Sequence, residues 1–387
     1  MPSWFQPVAT GFLVSAGLVT VAVVGWAVWW VPWHRRTGWR AIVQQGAAVL
    51  VSVVCSVAMI GLMLNRSNDW YPTWRSVLGV RDSATVQTFG GPAQTAPVAA
   101  SDWGSGSVSS LQADPRNNPA FAGQTWQDDT AQGQYLRLNI IGPTSGMTSE
   151  TLIWLPPGYL SHPERRYPVI FAFQGIPGSV DAYQQNLPVG QIIPSLVSAQ
   201  RIRDAIVVVP TVFPNNLDTE CVDSADGSVR MDTFVSSDLV AWAKANLRTV
   251  DRPDAWATLG FSAGGWCSSM LTLRHPETFG YSLSLSGYFQ IRFNGSALRP
   301  DGDPVYDLGR IASEQAPSVK LWFWTAKDDS APYDSVQQFA PKVRAPTVLT
   351  VALVEAGGHS WAVWTAGTQA GLQWLGENSA QFAWVAS

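Results

Sequence analysis

The chain has 387 residues, enough for one large domain of roughly 250 residues or for two smaller ones. Hydrophobic residues make up 46% and charged residues only 13%, about half the charged share of an ordinary soluble domain, so part of the chain is expected to lie in lipid. A formal charge of −4 offers no basic surface to a phosphate backbone, which excludes a nucleic-acid partner. The three cysteines, Cys55, Cys221 and Cys267, lack Cys-x-x-Cys spacing, which argues against a zinc site.

The first predicted element runs from about Val8 to Val31. It is apolar, uncharged and long enough to cross a hydrocarbon core of roughly 30 Å as a helix. A secretory signal peptide is the alternative, but residues 1–10 carry none of the basic residues that begin one. A second uncharged apolar run, from about Ala41 to Leu64, also has spanning length. Trp26, Trp29, Trp30, Trp33, Trp39, Trp70 and Trp74 suit the lipid boundary, where an amphipathic indole is favoured. The basic connection from His34 to Arg40 is expected to stay in the cytoplasm, leaving everything after Leu64 outside, although Arg66, Arg75 and Arg81 weigh against this. The expected organisation is a two-helix membrane anchor at 1–66, a juxtamembrane segment and linker at 67–125, and a catalytic domain at 126–387 in a multi-pass protein of the cell membrane. Within the linker, Asp82 to Gln124 is rich in Gly, Ser, Ala, Pro and Thr and reads as a flexible tether.

From Gln134 onward strands alternate with helices. Val169–Phe173 and Ala205–Val209 are short runs rich in β-branched and aromatic residues, as strands buried on both faces require. Further strands are predicted at 255–259, 281–285, 319–324 and 347–354, with helices at 231–247 and 262–274 between them. Gln134 to Ile141 and Glu150 to Trp154 are candidates for an antiparallel edge. The pattern predicts an α/β fold, a mostly parallel sheet with helices on both faces.

Gly260-Phe261-Ser262-Ala263-Gly264 matches G-x-S-x-G, the sharp strand-to-helix turn that raises a serine hydroxyl above a sheet. The predicted strand before it and helix after it supply the context that the pentapeptide alone lacks. Four histidines compete to be the base of an activated serine. His34 lies between the apolar runs, and His162 precedes the first parallel strand. His275 is about 20 Å along the helix that Ser262 begins. His359, in a Gly-rich loop after the last predicted strand, has the position that the order serine, acid, histidine demands. The acid that fixes the imidazole must emerge from a strand between Ser262 and His359, and Asp329 is preferred to Asp328. Asp301, Asp303 and Asp307 occupy a Pro/Gly loop without calcium-loop spacing. The oxyanion requires backbone donors, expected from Ala263 and from Ile176, with Gly178 in reserve because Pro177 has no N–H. Cys221 and Cys267 lie near the same strand ends, where a disulfide would hold the loop around Cys221; two buried thiols are the alternative.

The chain resembles the Putative esterase family of α/β-hydrolases, which includes esterase D-like enzymes and the antigen 85 mycolyltransferases. The resemblance runs from about Gly133 to Leu375 and rests on residues 151–159, 167–170, 260–265, 273–280, 285–288 and 357–361. It implies an acyl-serine mechanism with Ser262, Asp329 and His359 as the triad and no cofactor, and its membrane-anchored layout is similar to that of envelope-facing bacterial members. Two departures stand out: Gln174-Gly175 occupies a place where the family often has His-Gly or Asp-Gly, and Asp stands where mycolyltransferases use Glu. The expected substrate is a small-molecule, lipid or glycolipid acyl ester on the extracytoplasmic side. Acyl transfer to a sugar or lipid hydroxyl is the alternative chemistry, and a membrane-tethered binding protein without turnover is the alternative class.

Overall fold

A computed structural model describes residues 3–33, 38–68, 74–77, 84–91, 108–127, 130–292, 298–299 and 303–385. The basic connection at 34–37, Trp70, the Gly104–Ser107 part of the expected tether and Asp301 lie outside the described residues. The chain divides into two compact units, Met1–Ser83 with Ala356–Ala362, and Ala84–Glu355 with Val363–Ser387.

In the first unit, helices α1 (Thr10–Trp33) and α2 (Trp39–Asn68) are each long and apolar enough to cross a membrane. Helix α1 is apolar all round, with Val14, Leu18, Val21 and Val28 exposed, and α2 likewise exposes Ile42, Leu50, Val57 and Ile60. A helix without a polar face has no surface suited to water. The two run antiparallel: from the end of α2, the Arg66 guanidinium donates to the Val8 carbonyl at 2.9 Å and to Thr10 Oγ1 at 3.0 Å, at the start of α1. Beyond α2, the Trp74 indole donates to the Phe5 carbonyl at 2.6 Å and packs edge-on against Phe12.

The second unit is built on nine strands, β1 (Thr85–Phe89), β2 (Gln134–Ile141), β3 (Thr148–Leu155), β4 (Val169–Phe173), β5 (Ile206–Pro210), β6 (Trp256–Phe261), β7 (Tyr281–Leu285), β8 (Lys320–Ala326) and β9 (Val348–Val354). They form one sheet in the order β1-β9-β8-β7-β6-β4-β5-β3-β2. The six strands from β9 to β5 are parallel, whereas β3 pairs with β5, β2 with β3 and β1 with β9 antiparallel. Every residue of β4, β5, β6 and β7 is buried, as expected of strands covered on both faces. Near the margin, β2 alternates buried and exposed residues along Leu136–Ile141, so only one of its faces is covered.

The connecting helices include α3 (Val189–Ser198), α4 (Val240–Asn246), α5 (Ala263–Arg274), α6 (Ser330–Phe339) and α7 (Trp361–Asn378). One face of the sheet, with Phe171, Phe173, Val208, Leu321 and Phe323, packs on Trp266, Met270 and Leu271 of α5 and on Val336 and Phe339 of α6. Each such buried side chain contributes about 1.5–3 kcal/mol. On the opposite face Trp322 and Trp324 of β8 stack on each other, and Trp322 meets Trp374 of α7. Helices on both faces of a mainly parallel sheet are what the alternating pattern predicts. The predicted 231–247 helix is broken into Met231–Thr233 and α4 by a π-helical stretch, Phe234–Leu239. That stretch brings the Asp238 carboxylate to the Thr144 and Ser145 amides at 2.9 and 2.8 Å, pinning the turn between β2 and β3.

The reading of 82–124 as a flexible tether needs correction where the segment is described. Thr85–Phe89 extends the sheet as β1, with Thr85 opposite Leu353 and Phe89 opposite Leu349. Residues 110–121 form short helices held by buried hydrogen bonds, since Gln112 Nε2 donates to the carbonyls of Lys244 and Leu247 at 2.8 and 3.1 Å. Arg248, fully buried, donates in return to the carbonyls of Gln112, Ala113, Arg165 and Tyr159, and its guanidinium lies 3.8 Å from the Tyr159 ring centre. Removing a buried donor leaves those carbonyls unsatisfied, at about 1–3 kcal/mol each before relaxation. Arg248→Met is therefore expected to lower the unfolding free energy by about 3 kcal/mol, read from denaturant unfolding of the detergent-solubilised chain; a loss below about 1 kcal/mol would contradict this anchoring.

Candidate active site

The turn between β6 and α5 is dictated by clearance. A Cβ on Gly260 would lie 1.9 Å from the Gly264 carbonyl oxygen, and one on Gly264 would lie 2.1 Å from that of Phe173 on β4. Only glycine at both positions lets the helix leave the strand so sharply. The residue between them absorbs the bend: Ser262 has φ 56° and ψ −126°, a conformation that side chains other than glycine adopt at a cost of about 1–3 kcal/mol. Its amide donates to the Leu285 carbonyl on β7 at 2.9 Å, and its own carbonyl accepts from Gly265 N at 2.9 Å. Ser262 remains half-buried, not sealed in the core.

The loop after β4 lies against this serine. Phe173 is in register with Gly260, and a Cβ on Gly175 would be 3.0 Å from Ser262 Cβ. Ile176 follows, half-buried, and Gly178 is exposed. Ala263 opens α5, where unpaired amides and the helix dipole favour negative charge. Gly175, which precedes the expected donor Ile176, and Ala263 thus both adjoin Ser262. Gln174 is fully buried, and among the described residues neither polar atom of its side chain has a hydrogen-bond partner.

Asp329 begins α6, three residues beyond the end of β8. It is 9% exposed and its carboxylate does not cap the helix it starts, while Thr325 Oγ1 approaches its Oδ2 at 3.5 Å. Asp328 is exposed. A ladder of contacts leads back to the nucleophile: Thr325 Oγ1 is 3.1 Å from Ser286 Oγ, and Ser286 adjoins the Leu285 carbonyl that receives the Ser262 amide. His359 is exposed in the connection from β9 to α7, behind Gly357 and Gly358, which have φ of 150° and 60°. Ser360 Oγ donates to the Gly357 carbonyl at 2.8 Å and stiffens this turn.

The competing histidines have other partners. His275 ends α5 with Nε2 2.7 Å from Asp232, and burial followed by the neighbouring Arg274 charge lowers its pKa. His162 lies beside Glu164 at 3.4 Å. Among the described residues there is no cluster of three or more His, Cys, Asp or Glu side chains able to hold a metal ion.

Cys221 and Cys267 form a disulfide with a Cα separation of 5.6 Å. It joins the loop after β5 to α5 and is fully buried. Sequence reasoning used this loop for its cysteine alone and missed the neighbouring Glu220, whose carboxyl meets the Tyr288 hydroxyl at 2.9 Å and the Arg292 amide at 3.1 Å. A glutamate in a stretch as polar as Asp218-Thr219-Glu220 reads as solvated, and only its long-range partners reveal otherwise.

The residue pattern of the Putative esterase family matches residues 146–375, more than half of the chain. The chain belongs to that family. It is similar to an uncharacterised protein of Corynebacterium glutamicum, with 26% identity over 166 residues, covering 41% of this chain and 38% of that one. The MPT51 antigen of Mycobacterium leprae is 38% identical over 105 residues, 26% of this chain and 33% of the antigen. The chain thus spans well under half the length of these relatives. Its fold is that of a ferulic acid esterase (TM-score 0.53, 18% identity, 63% of this chain and 97% of that chain). It is equally that of an S-formylglutathione hydrolase from Agrobacterium tumefaciens (TM-score 0.54, 15% identity, 65% and 97%).

The disulfide closes a loop spanning 46 positions, which corresponds to about 4 kcal/mol of chain entropy withheld from the unfolded state. Replacing Cys221 and Cys267 together by serine is expected to lower the unfolding free energy by up to that amount. Denaturant midpoints that coincide for the two proteins would show that the bond is dispensable for stability.

Proposed function

We propose that Ser262 attacks the carbonyl carbon of a carboxylic ester, with His359 as its base and Asp329 as the acid that orients the imidazole. The imidazole takes the hydroxyl proton as the Oγ–C bond forms, and the amides of Ala263 and Ile176 stabilise the tetrahedral oxyanion. Collapse returns the proton to the leaving alcohol and leaves an acyl-serine, which water, activated by the same histidine, hydrolyses to the free acid. The observation that carries this reading is the left-handed backbone of Ser262 at a bend that tolerates only glycine two positions to either side, with Gly175 against its Cβ. The burial of Asp329 and the exposure of Asp328 favour the former as the acid.

Ser262→Ala is expected to lower kcat for short acyl esters by a factor of about 10⁴ or more and to abolish labelling by a fluorophosphonate. Asp329→Asn should cost about 10⁴ in kcat and Asp328→Asn less than tenfold. Undiminished turnover by the serine variant would exclude the mechanism, and a folded natural chain that takes up no label would favour a binding protein without turnover.

The pair α1 and α2 supports a membrane anchor, because its exposed apolar side chains run along both helices. With the basic connection of Arg35, Arg36 and Arg40 held in the cytoplasm, the catalytic unit faces outward, toward acyl esters of the cell envelope or its surroundings. Protease treatment of intact cells is expected to degrade the chain beyond residue 68; full protection of that portion would reverse the orientation. Hydrolysis and acyl transfer share the acyl-serine and differ only in the acceptor, so product analysis with and without an added alcohol separates them.

A further inference from the structure

Behind the nucleophile lies a buried carboxyl group that the acyl-serine mechanism leaves unused. Glu220 is fully buried, and its backbone carbonyl accepts from the Trp266 indole at 2.8 Å. Trp266 stands on the first turn of α5, its amide 3.4 Å from the Ser262 carbonyl, and its ring stacks on Tyr288 at 5.9 Å between centres. The Glu220 carboxyl in turn accepts from the Tyr288 hydroxyl and the Arg292 amide. The next residue, Cys221, is bonded to Cys267 on the same helix. One residue therefore fastens together three segments: its backbone carbonyl ties the loop after β5 to the first turn of the nucleophile helix, and its carboxyl ties that loop to the segment that follows β7.

Backbone strain accumulates at the same three strand ends. Glu220, Cys221, Ser262 and Ser286 have φ of 45°, 53°, 56° and 46°. Such conformations persist where surrounding contacts over-determine them, and they gather at functional sites. The charged and titratable groups facing Glu220 are few. Its own loop supplies Asp218 and the segment after β7 supplies Tyr288 and Arg292, while α5 contributes the uncharged Trp266 indole, which meets the backbone carbonyl of Glu220.

We infer that Glu220 is a positioning residue for acyl transfer at Ser262: uncharged, its carboxyl holds Tyr288 against Trp266 on the first turn of α5, and its ionisation weakens catalysis. This rests on the acyl-serine reading above. The physical reason is electrostatic. An anion buried against Tyr288, whose ring stacks on Trp266 in the first turn of α5, opposes the negative charge that develops on the tetrahedral oxyanion, and a dry interior screens it poorly. Burial, followed by the Asp218 charge, pushes the Glu220 pKa up to about 8 against the opposing effect of its Tyr288 and Arg292 hydrogen bonds, so the group enters the neutral range protonated.

The test is the pH dependence of kcat/KM for p-nitrophenyl acetate from pH 6 to 10, with fluorophosphonate labelling in parallel, on the full detergent-solubilised chain. The natural protein is expected to lose activity along an alkaline limb centred near pH 8. Glu220→Gln keeps a carbonyl acceptor but cannot ionise, and should raise the ratio of kcat/KM at pH 9.5 to that at pH 7 about tenfold. Asp218→Asn removes the neighbouring negative charge and should move the limb the opposite way, to lower pH, giving a decisive result even where the glutamine variant fails to fold. Alkaline limbs that stay in place while Ser262 still labels would overturn this inference alone. Absence of labelling in the natural protein would overturn the acyl-serine mechanism and this inference with it.

Discussion

The constraint on which this molecule turns is the contact between backbone and backbone where α5 leaves β6. Gly264 passes so close to the Phe173 carbonyl that no side-chain carbon fits between them. That approach sets the distance from β4 to the nucleophile helix, and through it the position of the loop carrying Gly175 and Ile176. It also forces the bend at Ser262 into a strained conformation, which the hydrogen bond to Leu285 on β7 helps to sustain. Three adjacent strands and one helix are thereby committed to a single geometry, with the large apolar residues of α5 and the sheet filling the space behind it.

Much of the parallel sheet is legible in the sequence because burial on both faces leaves a plain record. Val169–Phe173 and Ile206–Pro210 are wholly apolar, and every residue in them is buried. The glycine-flanked serine is legible for a related reason, since steric exclusion restricts residue type at fixed spacing. Elements held by polar contacts leave no such record. Thr85–Phe89 is a short strand at a sheet margin with exposed and half-buried residues, and the helices at 110–121 are fixed by hydrogen bonds to Arg248 and to carbonyls over a hundred positions away. Composition therefore makes both look like tether. The π-helical stretch at Phe234–Leu239 escapes for the same cause, because its contact with the turn between β2 and β3 is a long-range property.

Glu220 illustrates how a folded chain changes the chemistry of a side chain without a local motif. In an extended polar loop its carboxyl would be an ordinary solvated anion. Buried, with Tyr288 donating to it, it has its pKa raised by burial, so the fold resists its ionisation. The sequence around Ser262 supplies reactivity in the proposed mechanism, while residues from two other strand ends supply its surroundings.

The pairing of β1 with β9 bears on how the sheet is assembled. Thr85 leaves the ribosome early, yet its partner Leu353 emerges only after almost all of the chain has been made. Contacts so distant along the polypeptide require the closure of a very long loop, which slows their formation. Until then the outer edge of Val348–Val354 is an unpaired, apolar template for aggregation, and the early strand waits without a neighbour. Completion of this margin is therefore a late event in biogenesis.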